Sequence, residues 1–346
     1  MKVLYLTPWY PDEHDAMAGL FVQKHADAVR AQGVDVQVIH SQGWHDTFSQ
    51  WRRLKNTWGL PDVVQLNVVQ KQGLLALWLK RRYNIPYIIV EHWSGYLPEN
   101  GQFRHMSAFK RRLYATIVRH AAVLLCVSSR LAAAMQSCGL AHPDCRTINN
   151  VVDEFFYQQS LITHQTSNIK TLLHVSCFDE RAKNVKGLLR AAKQLADKRQ
   201  DWQLVLVGTG IDYDEVRAFA DGLNIPGGLL LWTGELTPGQ VADRMHQADA
   251  FVLSSRFETY GAVLAEAAAA GLPIIATPVG IADELGAHIV QQDDVANHPK
   301  RFAEQIEQVL FSDKKTAPAV NTTRFTPQAV GAELKNIYTQ VKNSTH

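Results

Sequence analysis

The sequence predicts an α/β protein built from two doubly wound domains, each with a parallel sheet. Its length of 346 residues is too long for one typical core and suits two domains of similar size. Short aliphatic runs alternate with helix-length segments through both halves of the chain. A polar stretch rich in Gln, Thr and Ser, residues 151–168, interrupts this alternation once and is typical of a linker.

Ten aliphatic or β-branched runs are predicted to be strands, half of them on each side of the linker. The runs in the first half are residues 3–7, 34–40, 63–68, 87–91 and 123–127. The runs in the second half are residues 171–176, 202–207, 229–232, 250–253 and 273–276. Segments of helical length separate them, such as residues 185–199 and 261–270, so each sheet is expected to be parallel.

We expect a first domain over residues 1–155 and a second domain over residues 165–325. The tail over about residues 327–346 has apolar positions that need a partner, and we expect this helix to pack back on the first domain. Open parallel sheets bind ligands beyond the carboxyl ends of their strands. The two domains are therefore expected to face a central cleft that holds the site.

Composition excludes several classes of protein. The net charge of +2 gives no case for a nucleic-acid partner, and any basic function must be local. The cysteines Cys126, Cys138, Cys145 and Cys177 form no CxxC pair, which favours a reducing, cytoplasmic setting. The first apolar run is too short for a signal peptide, and no apolar stretch reaches membrane-spanning length.

The most informative segment is residues 254–261, which leads into an alanine-rich stretch around Glu266. A helix that begins near Gly261 would point free N–H groups at a diphosphate. Glu258 lies just before that helix, and Glu266 lies where a carboxylate can accept hydrogen bonds from both hydroxyls of a ribose. Each glutamate alone also fits a structural role. The uncharged helix around Glu266 favours a ligand contact, because such helices seldom keep an isolated carboxylate.

This segment resembles the E-x7-E signature of the retaining GT-B glycosyltransferases of family four, with Glu258 and Glu266 at its two glutamates and Gly271-Leu272-Pro273 after them. The resemblance implies the GT-B fold of two Rossmann-like domains, and a nucleotide-diphosphate sugar as donor. It implies that Glu258 contacts the donor sugar and that Glu266 holds the ribose. It also implies that phosphate is held by the backbone of Thr259, Tyr260 and Gly261.

Lys183 follows the strand that opens the second domain, where its ammonium can reach the donor phosphates as a compact charge. A surface lysine is the ordinary interpretation on local grounds. The family places an Arg and a Lys in this loop, and Lys183 matches the Lys. Ser176 or Cys177 occupies the position of the Arg, and Arg181 or Lys186 is available to compensate.

Gly19 and His92 are the candidates in the first domain. Gly19 opens a helix after the first strand, where a glycine lets the backbone approach phosphate closely, although a simple helix-start glycine explains it equally well. His92 directly follows a predicted strand. A lone histidine is usually structural, but the resemblance implies that His92 positions or polarises the reaction centre. The resemblance also implies that Gly19 binds the donor. Glu91 and Trp93 are weaker candidates for acceptor contacts.

Two further motifs are interpreted as structural. Gly208-Thr209-Gly210 follows a predicted strand like a dinucleotide fingerprint, but Tyr213 stands where the third glycine belongs, so an NAD site is weakly supported. Asp212-Tyr213-Asp214 is a D-x-D motif at a helix start, where carboxylates complement the helix dipole. We therefore predict no metal and no cofactor. Lys110-Arg111-Arg112, in the predicted helix 109–120, suits an anionic membrane surface or a lipid-linked acceptor, but a solvated helix face is preferred.

The sequence thus predicts a retaining, metal-independent glycosyltransferase of the hexosyltransferase type, with His92, Glu258 and Lys183 as its catalytic residues. Its partners are a nucleotide-sugar donor and a carbohydrate or lipid-linked acceptor, in polysaccharide or glycolipid assembly. The expected location is the cytoplasm, and the alternative is a peripheral location at the inner face of the membrane. The alternatives are a GT-B-like sugar-nucleotide epimerase or hydrolase, and a non-catalytic scaffold that binds nucleotide sugars.

Overall fold

A computed structural model describes residues 1–13, 15, 17–158, 168–312 and 320–344. Within these ranges the chain forms two compact units, the first from Met1–Val151 with Thr323–His346 and the second from Val152–Thr322. Each unit contains a six-stranded sheet with every strand parallel to its neighbours. Residues 159–167 of the predicted linker and the last two residues of the predicted tail lie outside the described residues.

The first sheet has the strand order β2-β1-β3-β4-β5-β6. Its strands are β1 Lys2–Thr7, β2 Asp35–His40, β3 Val63–Asn67, β4 Tyr87–Glu91, β5 Val123–Cys126 and β6 Cys145–Thr147. The helices of this unit are α1 Leu20–Ala31, α2 Trp44–Trp58, α3 Gly73–Tyr83, α4 Ala108–His120, α5 Ser129–Ser137 and, from the end of the chain, α13 Pro327–Asn343. Because parallel crossovers are right-handed, this order places α1 on one face of the sheet and α2, α3 and α4 on the other.

The second sheet has the order β12-β11-β10-β7-β8-β9. Its strands are β7 Lys170–Val175, β8 Trp202–Val207, β9 Leu230–Gly234, β10 Ala250–Leu253, β11 Ile274–Ala276 and β12 His288–Ile289. The helices of this unit are α6 Glu180–Lys183, α7 Val185–Ala196, α8 Tyr213–Gly222, α9 Pro238–Gln247, α10 Ala262–Ala269, α11 Gln292–Asn297 and α12 Pro299–Leu310.

The predicted fold class of two doubly wound α/β units is confirmed, and all ten predicted strands are present with ends within two residues. The central strands are buried on both faces, so they form the nearly continuous hydrophobic runs that made them visible in the sequence. Strands β6 and β12 were not predicted. β6 is three exposed residues at a sheet edge and β12 is only two residues long, so neither leaves a hydrophobic run.

The C-terminal helix α13 packs on α1, and Gly331 lies so close to the carbonyl of Ala28 that a Cβ atom there would overlap it. A buried hydrogen-bond chain fastens α13 to the sheet. The hydroxyl of Tyr338 donates to Gln65 Oε1 at 2.5 Å and lies 2.8 Å from the hydroxyl of Tyr5. Both tyrosines are fully buried, so these hydroxyls depend on each other and on Gln65 for their hydrogen bonds.

We predict that Tyr338→Phe lowers the free energy of unfolding by about 1–3 kcal/mol, because the buried Tyr5 hydroxyl and Gln65 Oε1 each lose their hydrogen bond to the Tyr338 hydroxyl. Tyr5→Phe is the matched control. It should lower the free energy of unfolding by less, because Tyr338 keeps its hydrogen bond to Gln65. Urea unfolding followed by circular dichroism measures both. Equal losses would show that the hydroxyl of Tyr338 is not the centre of this chain of bonds.

Candidate functional site

In the second unit, Lys183 and Glu258 form an ion pair. The Lys183 ammonium donates to Glu258 Oε1 at 2.5 Å, and the Ser255 hydroxyl donates to the same oxygen at 2.8 Å. Only 15% and 14% of the Lys183 and Glu258 side chains are exposed, so little water screens their attraction. The structure therefore brings together two residues that lie 75 positions apart in the sequence and that were both predicted to be catalytic.

The Lys183 ammonium keeps its positive charge in this setting. Burial alone would lower the pKa of Lys183, but the adjacent Glu258 carboxylate more than offsets burial, and the pKa is raised. A fixed cation at the end of α6 is suited to an anionic ligand.

Two side chains that were not predicted to matter anchor the Lys183 loop to the Glu258 loop. The Ser254 hydroxyl donates to the Lys183 carbonyl at 2.9 Å. The Arg256 backbone N–H donates to the Ala182 carbonyl at 2.7 Å, and its guanidinium donates to the Asn184 side chain at 2.8 Å. Asn184 is buried with φ of +50°, which is how the chain turns sharply from α6 into α7. The position of Lys183 thus depends on the loop that carries Glu258.

The residues expected to replace the family's missing Arg have other partners. Arg181 is exposed and lies over the ring of Phe257, 5.7 Å from its centroid. Lys186 forms an ion pair with Glu215. Ser176 is buried, and its hydroxyl lies 2.8 Å from His174 Nε2. Lys183 is therefore the cation that the described structure places against Glu258.

Helix α10 begins at Ala262, directly after Gly261, whose φ of +77° is the left-handed conformation that glycine adopts without strain. Glu266 is half-buried, whereas its neighbours Ala265 and Ala267 are buried. Glu266 therefore shares the accessible side of the helix with its first turn, since residues three and four apart lie on one face. This placement leaves its carboxylate on the side that a ligand at the helix N-terminus would occupy.

A second loop crosses behind the segment that contains Thr259, Tyr260 and Gly261. The Ile281 N–H donates to the Tyr260 carbonyl at 3.0 Å, and a Cβ atom on Gly280 would overlap that carbonyl. Gly280 has a φ of +52°, so glycine is needed there for both conformation and space. The packing of this loop against the Tyr260 carbonyl therefore explains the glycine at position 280.

The two motifs interpreted as structural have structural partners. A Cβ atom on Gly208 would overlap the Ser176 carbonyl, and one on Gly210 would overlap the backbone of Phe178, so these glycines let neighbouring loops pack. The Asp212 carboxylate accepts the Glu180 N–H at 2.8 Å. Among the described residues, no group of three or more His, Cys, Asp or Glu side chains is arranged to hold a metal ion.

In the first unit, Glu91 organises the loop after β4. Its fully buried carboxylate accepts the backbone N–H groups of Val69, His92 and Trp93, each at 2.9 Å, and the Tyr96 hydroxyl at 3.3 Å. The expectation that Glu91 contacts an acceptor is therefore wrong, because both carboxylate oxygens bind the protein's own loop. Burial raises the pKa of Glu91 from its ordinary 4.5 to about 7, and the hydrogen bonds to the carboxylate only partly offset this.

His92 is buried against an aromatic ring, with a nitrogen that has no hydrogen-bond partner among the described residues. Its ring centroid lies 4.1 Å from that of Phe21 and 5.9 Å from that of His25. The unpartnered atom is Nε2. Burial, with a smaller contribution from His25, holds the pKa of His92 well below its usual range, so the imidazole is neutral. A neutral ring with one unsatisfied nitrogen is able to hydrogen-bond a ligand hydroxyl.

Gly19 caps the N-terminus of α1 with a φ of +67°. A Cβ atom at this position would overlap the carbonyl of Trp9, so the loop after β1 requires glycine for its own packing. This geometry explains the glycine without a ligand, and a role of Gly19 in donor binding stays a prediction.

Comparison with known proteins identifies the family. Residues 163–324 match the glycosyl transferases of group 1, and residues 2–154 match glycosyltransferase family 4. The chain therefore belongs to the family of group 1 glycosyltransferases, also called glycosyltransferase family 4. The chain is 29% identical to N-acetyl-alpha-D-glucosaminyl L-malate synthase of Bacillus anthracis, over 42% of its own length and 38% of that enzyme. It is 25% identical to lipopolysaccharide 1,6-galactosyltransferase of Escherichia coli, over 56% and 55% of the two chains. The chain thus spans about half the length of these curated relatives, or less.

Solved structures confirm the GT-B fold of the chain. Sucrose-phosphate synthase from Thermosynechococcus elongatus superposes with a TM-score of 0.78 at 18% identity, over 99% of each chain. HepE of Anabaena, solved in complex with UDP, superposes with a TM-score of 0.76 at 17% identity, over 98% of this chain and all of the other. Among the described residues, no helix has the length and apolar character that crossing a membrane requires.

We predict that Gly280→Ala destabilises the protein by more than about 3 kcal/mol, because the new Cβ atom overlaps the Tyr260 carbonyl and the backbone conformation is strained for alanine. Gly286→Ala is the matched control. Gly286 also has a positive φ, of +67°, but has open space around its Cβ position, so about 1–2 kcal/mol of strain is expected. Thermal unfolding of both variants measures the difference, and equal effects would contradict the crowding at Gly280.

We predict that Glu91→Gln destabilises the fold by about 1–3 kcal/mol, since an amide N–H₂ group would then face backbone donors. Because the pKa of Glu91 is raised to about 7, the stability that this carboxyl contributes is present below its ordinary 4.5 and is lost as the pH rises through 7. The gap in unfolding free energy between wild type and Glu91→Gln should therefore narrow from about pH 5 to about pH 8.

Urea unfolding at several pH values measures this gap. The control is Glu99→Gln, an exposed position in the same loop, which should leave stability and its pH dependence unchanged. A gap that widens with pH would mean that Glu91 titrates below its ordinary range, contrary to the effect of its burial.

Proposed function

We propose that this glycosyltransferase moves a sugar from a nucleotide-diphosphate donor to an acceptor hydroxyl, with retention at the anomeric carbon. The observation that carries the proposal lies in the second unit. The Lys183 ammonium contacts the Glu258 carboxylate, and Glu266 lies on the half-exposed side of the helix that follows. A cation bound to the Glu258 loop, the N-terminus of the helix that follows this loop and a carboxylate on that helix suit the diphosphate and ribose of a sugar nucleotide.

The proposal gives each group in the second unit a separate part of the donor. Lys183 and the backbone N–H groups of Thr259, Tyr260 and Gly261 bind the diphosphate. Glu266 accepts hydrogen bonds from the ribose hydroxyls, and Glu258 contacts the sugar that is transferred. The ion pair supports this division, because it holds the Lys183 ammonium at the point where the Glu258 loop leads into α10.

The proposed reaction is a front-face displacement. The acceptor oxygen bonds to the anomeric carbon on the face from which the diphosphate leaves, and the bond between that carbon and the diphosphate oxygen breaks. An oxygen of the departing diphosphate takes the acceptor proton, so the products are the glycosylated acceptor and a nucleoside diphosphate. Lys183 and the helix N-terminus stabilise the charge that develops on the leaving group. This scheme needs neither a protein nucleophile nor a metal ion.

We assign the first unit to the acceptor side and propose that His92 positions the reacting sugar. A neutral imidazole with an unpartnered Nε2 supports this role, because it can hydrogen-bond a sugar hydroxyl without adding charge. Gly19 is proposed to contribute to donor binding through the backbone at the start of α1.

The relatives suggest the chemistry to test first. HepE was solved with UDP and with UDP-glucose, so a UDP-sugar is the first donor to examine. Relatives named as a lipopolysaccharide galactosyltransferase and a phosphatidyl-myo-inositol mannosyltransferase support a carbohydrate or lipid-linked acceptor in polysaccharide or glycolipid assembly. We propose that the protein acts in the cytoplasm or at the inner face of its membrane.

We predict that one nucleoside diphosphate series, out of UDP, GDP, ADP and CMP with their sugars, raises the melting temperature of the protein, and that chelation of metals does not alter the shift. Glu266→Ala should weaken binding about 10- to 100-fold through loss of charge-assisted hydrogen bonds to the ribose. Lys183→Met should also weaken binding of the diphosphate, but not of the nucleoside. Calorimetric titration of each variant measures these losses.

Glu304→Ala is the matched control, since Glu304 is an exposed carboxylate on α12 of the same unit, and it should bind like wild type. Absence of binding by any nucleoside diphosphate, or a shift by NAD alone, would refute the proposed donor site. Donor binding with neither transfer nor donor hydrolysis would instead support the non-catalytic scaffold. Inversion or hydrolysis of the bound sugar would support the epimerase or hydrolase.

A further inference from the structure

Helices α2 and α3 carry a continuous row of aromatic side chains on their outer surface. Trp44 lies 6.2 Å from Phe48, Phe48 lies 5.7 Å from Trp78, and Trp78 lies 5.5 Å from Tyr83, all measured between ring centroids. Each pair meets edge to face. The row crosses from α2 to α3 between Phe48 and Trp78, so it is built from both helices.

These rings are accessible rather than part of the core. Trp44 is 46% exposed and Trp78 is 38% exposed, while Phe48 and Tyr83 are half-buried. Large aromatic side chains are usually buried, and a contiguous group of exposed ones marks an interaction site.

Basic side chains lie on the same two helices as the row. We call this group the aromatic–basic surface: the rings of Trp44, Phe48, Trp78 and Tyr83 with the cations Arg52, Lys55, Arg81 and Arg82. Lys55 and Arg82 lie over the ring of Tyr83, 4.9 Å and 5.0 Å from its centroid. Arg52 and Arg81 are exposed on the same helices.

Charge is strongly segregated toward this part of the chain. Residues 44–120 contain twelve Lys and Arg but only four Asp and Glu, whereas the whole chain has a net charge of +2. One of those four acidic residues, Glu91, is buried. The surface formed by α2, α3 and α4 is therefore positively charged, although the protein as a whole is nearly neutral.

Helix α4 extends the same face of the sheet. It packs beside α3, where the Lys80 ammonium donates to the His120 carbonyl at 2.6 Å. Its first turn exposes Phe109, which is 78% accessible, followed by the exposed cations Lys110, Arg111 and Arg112. The combination of exposed rings and cations thus recurs on the next helix of the layer.

We propose that the aromatic–basic surface binds an anionic phospholipid bilayer. Tryptophan and tyrosine favour the interface between headgroups and acyl chains, and lysine and arginine beside them attract anionic headgroups. A single-stranded nucleic acid would need open aromatic faces on which bases can stack, but the four rings of the row stand edge to face against each other. This surface goes beyond the donor site and does not depend on it, because it lies entirely in the first unit.

The test is co-sedimentation of the full chain with vesicles of equal parts phosphatidylglycerol and phosphatidylcholine, compared with pure phosphatidylcholine, at about 0.1 M salt. We expect binding to the anionic vesicles only. Arg52→Glu with Arg82→Glu should weaken it by about tenfold or more, since both cations would become repulsive. Lys300→Glu with Arg301→Glu makes the same change of charge on exposed residues of α12, and should leave binding intact.

The rings are tested separately with vesicles whose lipids carry bromine on the acyl chains. Bromine quenches tryptophan fluorescence on contact, so vesicle binding should reduce the fluorescence of the wild-type protein. The double variant Trp44→Phe with Trp78→Phe should still bind but should lose most of this quenching. Unchanged thermal unfolding shows that each variant is folded.

No binding to anionic vesicles would overturn the proposal, and so would equal losses from the two pairs of charge reversals. Quenching that persists without Trp44 and Trp78 would place the contact elsewhere. Binding to single-stranded DNA but not to vesicles would identify a nucleic-acid site instead. None of these outcomes bears on donor binding, which is measured without lipid.

Discussion

Every strand in both sheets is parallel, and this arrangement gathers the loops that carry polar side chains at the carboxyl edge of each sheet. Loops crowded at one edge must cross one another closely. The crossings occur where glycine removes a Cβ atom: Gly280 lies against Tyr260, Gly208 lies against Ser176, and Gly19 lies against Trp9. The glycines that resemble phosphate-binding or dinucleotide motifs in the sequence are thus explained first by loop packing. Any ligand role must be added to that packing role.

The ion pair between Lys183 and Glu258 is poorly explained by stability alone. Removing two charges from water costs several kcal/mol per ion, about as much as their attraction returns, so a mostly buried pair adds little net stability. Ser254 and Arg256 nevertheless hold together the two loops that carry the ion pair, because both donate hydrogen bonds to the backbone around Lys183. Such support fixes the position of a charge, and a fixed charge stabilises a developing anion without reorganising at the moment of reaction.

The sequence allowed prediction of those features whose signal is local. Buried parallel strands are continuous apolar runs, whereas β6 and β12 are too short to form one. The grouping of Lys183 with Glu258 came from a family resemblance, since nothing local indicates a contact across 75 positions. Ser254 and Arg256 were missed because their partners are backbone groups of a distant loop. Glu91 was misjudged because a carboxylate at a strand end looks the same whether it faces solvent or accepts hydrogen bonds from its own loop.

The distribution of charge shows why whole-chain composition was a weak guide to partners. A net charge of +2 argued against a polyanionic partner, yet residues 44–120 carry a large excess of cations that acidic residues elsewhere balance. Ionic screening limits interactions between exposed charges to about 8–10 Å, so a ligand at one surface does not sense the compensating charges on another. What a charged partner recognises is therefore the local density of cations together with the exposed rings beside them. The excess of cations can be counted in the sequence, but only the fold shows that α2, α3 and α4 lie on one face of the first sheet.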